Sequence, residues 1–218
     1  MGGGGFQGES LGLLDHILSL TGRERPRICY LPTAGGDQGE AIAAFHERLA
    51  GRAETSALTL FHWDCDDPAE LLLGQHAIYV GGGNTANMLA IWRMHGIDRL
   101  LDQAWRQGIV LAGPSAGANC WFEACSTDSF GTTLAPLLDG LGFLAGSFCP
   151  HYEGEPERRP SYLRWVSEGE LPPGWAADDG VALVFGGTEL AEAVSEREGG
   201  RAFRVEADWE REIGVRIL

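Results

Sequence analysis

Lysine is absent: all 16 basic residues of the 218-residue chain are arginine. That absence excludes Schiff-base chemistry and the lysine with which a P-loop grips phosphate. Basic charge is scarce as a whole. Set against 31 acidic residues it leaves a formal net charge of −15, so a nucleic-acid backbone or an anionic membrane surface is repelled and neither is an expected partner. Cysteine is confined to Cys29, Cys65, Cys120, Cys125 and Cys149, an odd number with no Cys-x-x-Cys pair. Neither a disulfide framework nor a zinc ribbon is indicated, and a reducing cytoplasm is the expected compartment. No apolar run approaches the ~18–20 residues that span a bilayer. The start, Met1-Gly2-Gly3-Gly4-Gly5, has neither the basic nor the apolar part of a signal peptide. The six histidines include no His-Glu-x-x-His or other ligand spacing, so no metal and no cofactor is expected.

What is present suits one domain over residues 1–218, at 44% hydrophobic and 22% charged, long enough to bury a core. Short apolar or β-branched runs alternate with longer helical patterns. That alternation predicts a doubly wound α/β fold, a mostly parallel sheet with helices on both faces. Strands are expected at Arg27–Leu31, 58–61, Ala77–Val80 and 109–112. The last is continuously apolar, as a central parallel strand should be. Ile42, Phe45 and Leu49 mark a helix stopping at Gly51, a second helix runs from about Thr85 to His95, and Ile97, Leu100, Leu101, Ala104 and Trp105 form an apolar stripe closed by Gly108. Further on, 143–148 and 181–185 read as strands, 189–194 and 202–205 as antiparallel strands at one edge, and 158–173 as a mobile helix or loop.

Gly113-Pro114-Ser115-Ala116-Gly117 matches Gly-x-Ser-x-Gly and lies between a central strand and an Ala-rich helix start. Two glycines at a sharp strand-to-helix turn leave the serine Oγ in the open, facing unpaired helical N–H groups. The competing reading is a Gly-rich turn whose serine is only an N-cap, and the pattern alone leaves both open. A second Gly-rich turn, Gly81-Gly82-Gly83-Asn84-Thr85, also follows a strand and opens a helix. The N–H groups of Gly82 or Gly83, with that of Ala116, could form an oxyanion hole. The alternative is a phosphate or nucleotide turn, against which stand the incomplete Gly-x-Gly-x-x-Gly motif and the lack of lysine. His151, after Pro150 at the end of a strand, is the favoured base. For the group that orients it, Asp128, Glu123, Asp178 and Asp179 are candidates, with Asp179 just before Gly180 and a strand. The order serine, histidine, acid differs from that of the α/β-hydrolases.

Together, Gly81-Gly82-Gly83-Asn84-Thr85, Ser115-Ala116-Gly117-Ala118 and Pro150-His151-Tyr152 resemble the peptidase E family, the aspartyl dipeptidases, over nearly the whole chain. The resemblance implies a class I glutamine amidotransferase-like architecture, with Ser115 as nucleophile, His151 as base and Asp179 as third member. It also sets Gly154-Glu155-Pro156-Glu157 where the family's Gly-Glu-x-Arg stretch holds an aspartyl side chain, so Glu157 replaces the arginine, with Arg158 and Arg159 following. A buried Glu157 would repel an aspartyl carboxylate. Asn84, Glu157, Arg158 and Arg159 are the expected substrate contacts. Residues 2–6 are similar to the turn that follows a first strand in the family, with Met1 alone before it. The expectation is a cytoplasmic serine hydrolase for a small peptide or amide, and a homodimer is one assembly it allows. Two other readings are a catalytically weak small-molecule binder, motivated by Glu157, and a cyanophycinase-like hydrolase, whose cationic polymer would suit an acidic surface.

Overall fold

Helix α1 (Gly12–Leu20) forms because Leu13, Leu14, Ile17 and Leu18 recur on one face, and that face is buried. The structure, a computed structural model, describes residues 1–6 and 11–218. Strand β1 (Arg27–Leu31) is buried at every position after Arg27. There follow α2 (Gly39–Arg48), β2 (Glu54–Ala57), α3 (Pro68–Leu73), β3 (Ala77–Val80), α4 (Thr85–His95), α5 (Ile97–Arg106) and β4 (Val110–Ala112). These strands make a parallel sheet in the order β2-β1-β3-β4. β3 is buried at all four residues, as expected where helices cover both faces, each large side chain contributing about 1.5–3 kcal/mol by burial. α5 buries Ile97, Leu101 and Ala104 along the stripe read from the sequence.

The second strand lies earlier than the apolar run at 58–61 predicts. Leu58 still donates its N–H to Tyr30 O, at 3.0 Å, but the N–H groups of Leu60 and Phe61 turn to the Asp37 carboxylate. The run therefore closes the end of the sheet, with Leu58 fully buried, instead of extending it.

The rest of the chain forms α6 (Ala116–Asn119), β5 (Phe122–Thr127), β6 (Ala135–Leu137), β7 (Leu144–Cys149), α7 (Arg158–Ser167), β8 (Gly174–Ala177), β9 (Val181–Gly186), β10 (Glu189–Ser195), β11 (Ala202–Val205), β12 (Glu210–Ile213) and β13 (Arg216–Ile217). One sheet has the order β12-β11-β8-β7-β5-β6 and another β13-β10-β9. β10 and β11 are antiparallel members of these two different sheets, not neighbours at one edge. The segment at 158–173 is a packed element: α7 buries Tyr162, Trp165 and Val166 in a cluster with Tyr152 and Phe203. Between β4 and β9 lies an apolar cavity of about 610 Å³, with Leu111, Ala182 and Val184 among its walls. Met1 stands beside it, its amino group donating to Gly113 O at 3.1 Å. Among the described residues no helix is long and apolar enough to cross a membrane.

Candidate active site

The parallel strands bring several turns together. Residues after β1 (Pro32, Gly35), β3 (Gly81 to Gly83), β4 (Pro114, Ser115) and β7 (His151) line one cavity of about 440 Å³.

The turn carrying Ser115 is pressed against the end of β3. A Cβ added to Gly113 would stand 2.4 Å from Val80 O, and one on Gly117 2.2 Å from the same atom. Only glycine allows that approach. Ser115 itself has φ 53° and ψ −116°, and although it occupies the N-cap position of α6 its side chain makes no capping hydrogen bond. A serine held at positive φ with no cap to form is not explained by helix capping. Its Oγ has no hydrogen-bond partner among the described residues. Gly82 lies directly beside it, since a Cβ there would be 3.6 Å from Ser115 Cβ. Gly83 turns its Cα toward Ala34 O, where a Cβ would meet the oxygen at 2.2 Å. No acceptor among the described residues takes the N–H of Gly82, Gly83 or Ala116.

His151 follows Pro150 at the end of β7 with φ 54°. Its Nδ1 is 2.6 Å from Asp179 Oδ1. That hydrogen bond is the first cause holding the Asp179 carboxyl below the ordinary carboxylate range; partial burial opposes it, and the charges of His151, Arg197 and Arg158 assist it. His151 and Ser115 share the cavity without a hydrogen bond between them. The other acids are placed elsewhere. Asp178, 2% exposed, accepts the N–H groups of Glu153 and Arg201, and burial is the main cause raising its carboxyl. Glu123 accepts the Gly146 N–H at 2.8 Å, and Asp128 is exposed.

The four expected substrate contacts do not line the cavity. Asn84 caps α4, its side chain accepting Asn87 N–H at 2.8 Å and donating to Ser129 O at 3.0 Å. Glu157 is exposed rather than buried, so it exerts no repulsion from within the site. Arg158 is buried and spends its guanidinium on Glu155 and on Ser126 O. Arg159 is paired with Glu153 and Glu210 and lies over the Tyr152 ring. Sequence reasoning missed Gly3, where a Cβ would stand 2.0 Å from Asp179 Oδ1 and 2.7 Å from His151 Nδ1, so the pair closes only over a glycine. It also missed Phe6, Tyr30, Gln38 and Tyr79, which line the cavity. The signal for Gly3 was the run of four glycines at 2–5.

The model of Peptidase family S51 matches residues 1–193, which include every residue named from Gly3 to Asp179. The chain belongs to peptidase family S51. Among its relatives is a Bacillus subtilis (strain 168) protein described as the uncharacterized peptidase YgaJ, 48% identical over 208 residues, covering 94% of this chain and 90% of that one. A Streptomyces coelicolor protein named Peptidase E is 26% identical over 225 residues, with 94% of this chain and 90% of the other covered. The crystal structure of a peptidase from an acI-B1 Actinobacterium superposes with a TM-score of 0.69 at 19% identity, covering 99% of this chain and 92% of that one. This S51 chain therefore shares the fold of a solved peptidase and the family of proteins named for peptidase activity.

Proposed function

We propose that this S51 protein is a serine peptidase acting on a small peptide or amide. Ser115 is the nucleophile, His151 the general base and acid, and Asp179 the group that orients the imidazole. The observation that carries this reading is the 2.6 Å bond between His151 Nδ1 and Asp179 Oδ1, beside a serine held at positive φ in the same cavity. With Nδ1–H donated to the carboxylate, Nε2 presents its lone pair. Ser115 Oγ bonds to the substrate carbonyl carbon as its proton passes to Nε2, and the carbonyl electron pair moves onto oxygen. The N–H of Ala116 and that of Gly82 or Gly83 stabilise the oxyanion, each such donor supplying about 2.7–4 kcal/mol in comparable sites. The intermediate collapses, the leaving amine takes the proton back from His151, and water enters by the same route to release the acid.

Labelling with a fluorophosphonate tests the assignment on the intact protein. One adduct, mapped to Ser115 by peptide mass and abolished in Ser115→Ala, is the expected result. No adduct, or an adduct that survives the substitution, removes the nucleophile from this reading.

A further inference from the structure

Tyr30 on β1 and Tyr79 on β3 are register partners across the parallel sheet. Both line the cavity that holds Ser115 and His151, and both are almost wholly buried, at 4% and 0% exposure. Their rings are fixed by packing, with Phe6 edge-on to each at 5.3 and 5.7 Å and Phe45 stacked on Tyr30 at 4.8 Å. Tyr30 Oη has no hydrogen-bond partner among the described residues, whereas Tyr79 Oη is enclosed against the Gly5–Phe6 backbone. The Tyr30 hydroxyl, at the cavity wall and without a partner in the protein, is therefore free to bond a ligand that enters there. Gln38 adds an amide at the same cavity.

Charge decides what kind of ligand. No arginine and no carboxylate is among the described residues lining this cavity; His151 is the sole side chain there able to carry positive charge. Two anions stand behind this lining: Asp179, bonded to His151, and Asp37, next to Gln38 in the chain. Burial first, and then the Asp37 charge, pushes the Tyr30 hydroxyl up to about 12, so it stays a neutral donor and acceptor in a negative potential. A substrate carboxylate entering here would lose its water and find no arginine to offset the Asp37 and Asp179 charges. A carboxamide of the same shape offers both a donor and an acceptor to the Tyr30 phenol and to Gln38.

We infer that this recess is the side-chain pocket for a substrate residue bearing a carboxamide and that it rejects the isosteric carboxylate, so that asparaginyl rather than aspartyl peptides are the preferred class. The inference rests on the Ser115 assignment and names the substrate class for that site. Titration calorimetry on Ser115→Ala, with the free dipeptides asparaginyl-leucine and aspartyl-leucine as probes, tests it without requiring turnover. The asparaginyl peptide should bind at least about ten-fold more tightly, because a pocket built for hydrogen bonding discriminates strongly between such pairs. Adding Tyr30→Phe should narrow that ratio by about three-fold or more at unchanged melting temperature, and Gln38→Arg should reverse the preference. Equal or tighter binding of the aspartyl peptide, or binding of neither at millimolar concentration, overturns the inference. Because fluorophosphonate labelling of wild-type Ser115 is read separately, failure here is distinguishable from failure of the nucleophile.

Discussion

His151 and Ser115 both hold left-handed backbone angles, φ 54° and 53°, although neither is glycine. Such residues cost of order 1–3 kcal/mol each and persist where the surrounding structure fixes them. Here the fixed points are Pro150 before the histidine and the close approach of the Ser115 turn to Val80. The third residue is lightly held by comparison, since the Asp179 side chain is 47% exposed. Asp179→Asn should therefore lower the melting temperature only modestly while lowering kcat/KM by about 10²–10⁴-fold, as loss of the orienting carboxylate does in serine peptidases. Acid unfolding offers an independent check. The folded-state pKa of Asp179 is depressed, chiefly by the His151 hydrogen bond, so its contribution to stability is complete above the unfolded value of about 3.9. It is lost as pH falls through the lower folded value. The stability difference between wild type and Asp179→Asn should thus be flat from neutral pH to about pH 5 and shrink below about pH 4, as read by urea denaturation at each pH.

At the level of elements, the site depends on β3 and the Ser115 turn touching through backbone. Gly117→Ala puts a Cβ 2.2 Å from Val80 O and 2.8 Å from Val80 C. Neither is a flexible side-chain end, so the variant should lose about 2 kcal/mol or more in urea denaturation. Gly39→Ala, in the first turn of α2 with no atom within 4 Å of the new methyl, should be neutral or slightly stabilising. The same contrast shows what a single sequence can reveal. The Gly-x-Ser-x-Gly turn was legible because glycine spacing leaves a local mark, but the apolar run before it, which reads as a central strand buried on both faces, is the half-buried edge strand β4, its apolar side chains lining the cavity beside β9. The displaced β2 was not legible either, because the amides of Leu60 and Phe61 are claimed by Asp37, 23 and 24 positions away in the chain. Asp178 and Asp179 are adjacent and chemically alike, yet one accepts two backbone N–H groups while the other reaches His151. Their division of labour arises only once the turn is folded. Tyr30 reads as an ordinary buried strand residue, because nothing local records that the fold brings it to the wall of the Ser115 cavity.

Across the whole molecule, the five cysteines are all free thiols, four of them buried and Cys65 partly exposed. Burial pushes Cys29 and Cys149 up to about 12 and raises Cys120 and Cys125 as well. Titration with a coloured disulfide reagent should therefore register about one thiol quickly in the native protein and all five after unfolding in guanidinium. Rapid reaction of three or more under native conditions would contradict this packing. A practical corollary concerns inhibition. Alkylating agents and mild peroxide act on accessible thiolates, so under the proposed Ser115 assignment brief iodoacetamide treatment should leave peptidase activity largely intact while a fluorophosphonate removes it.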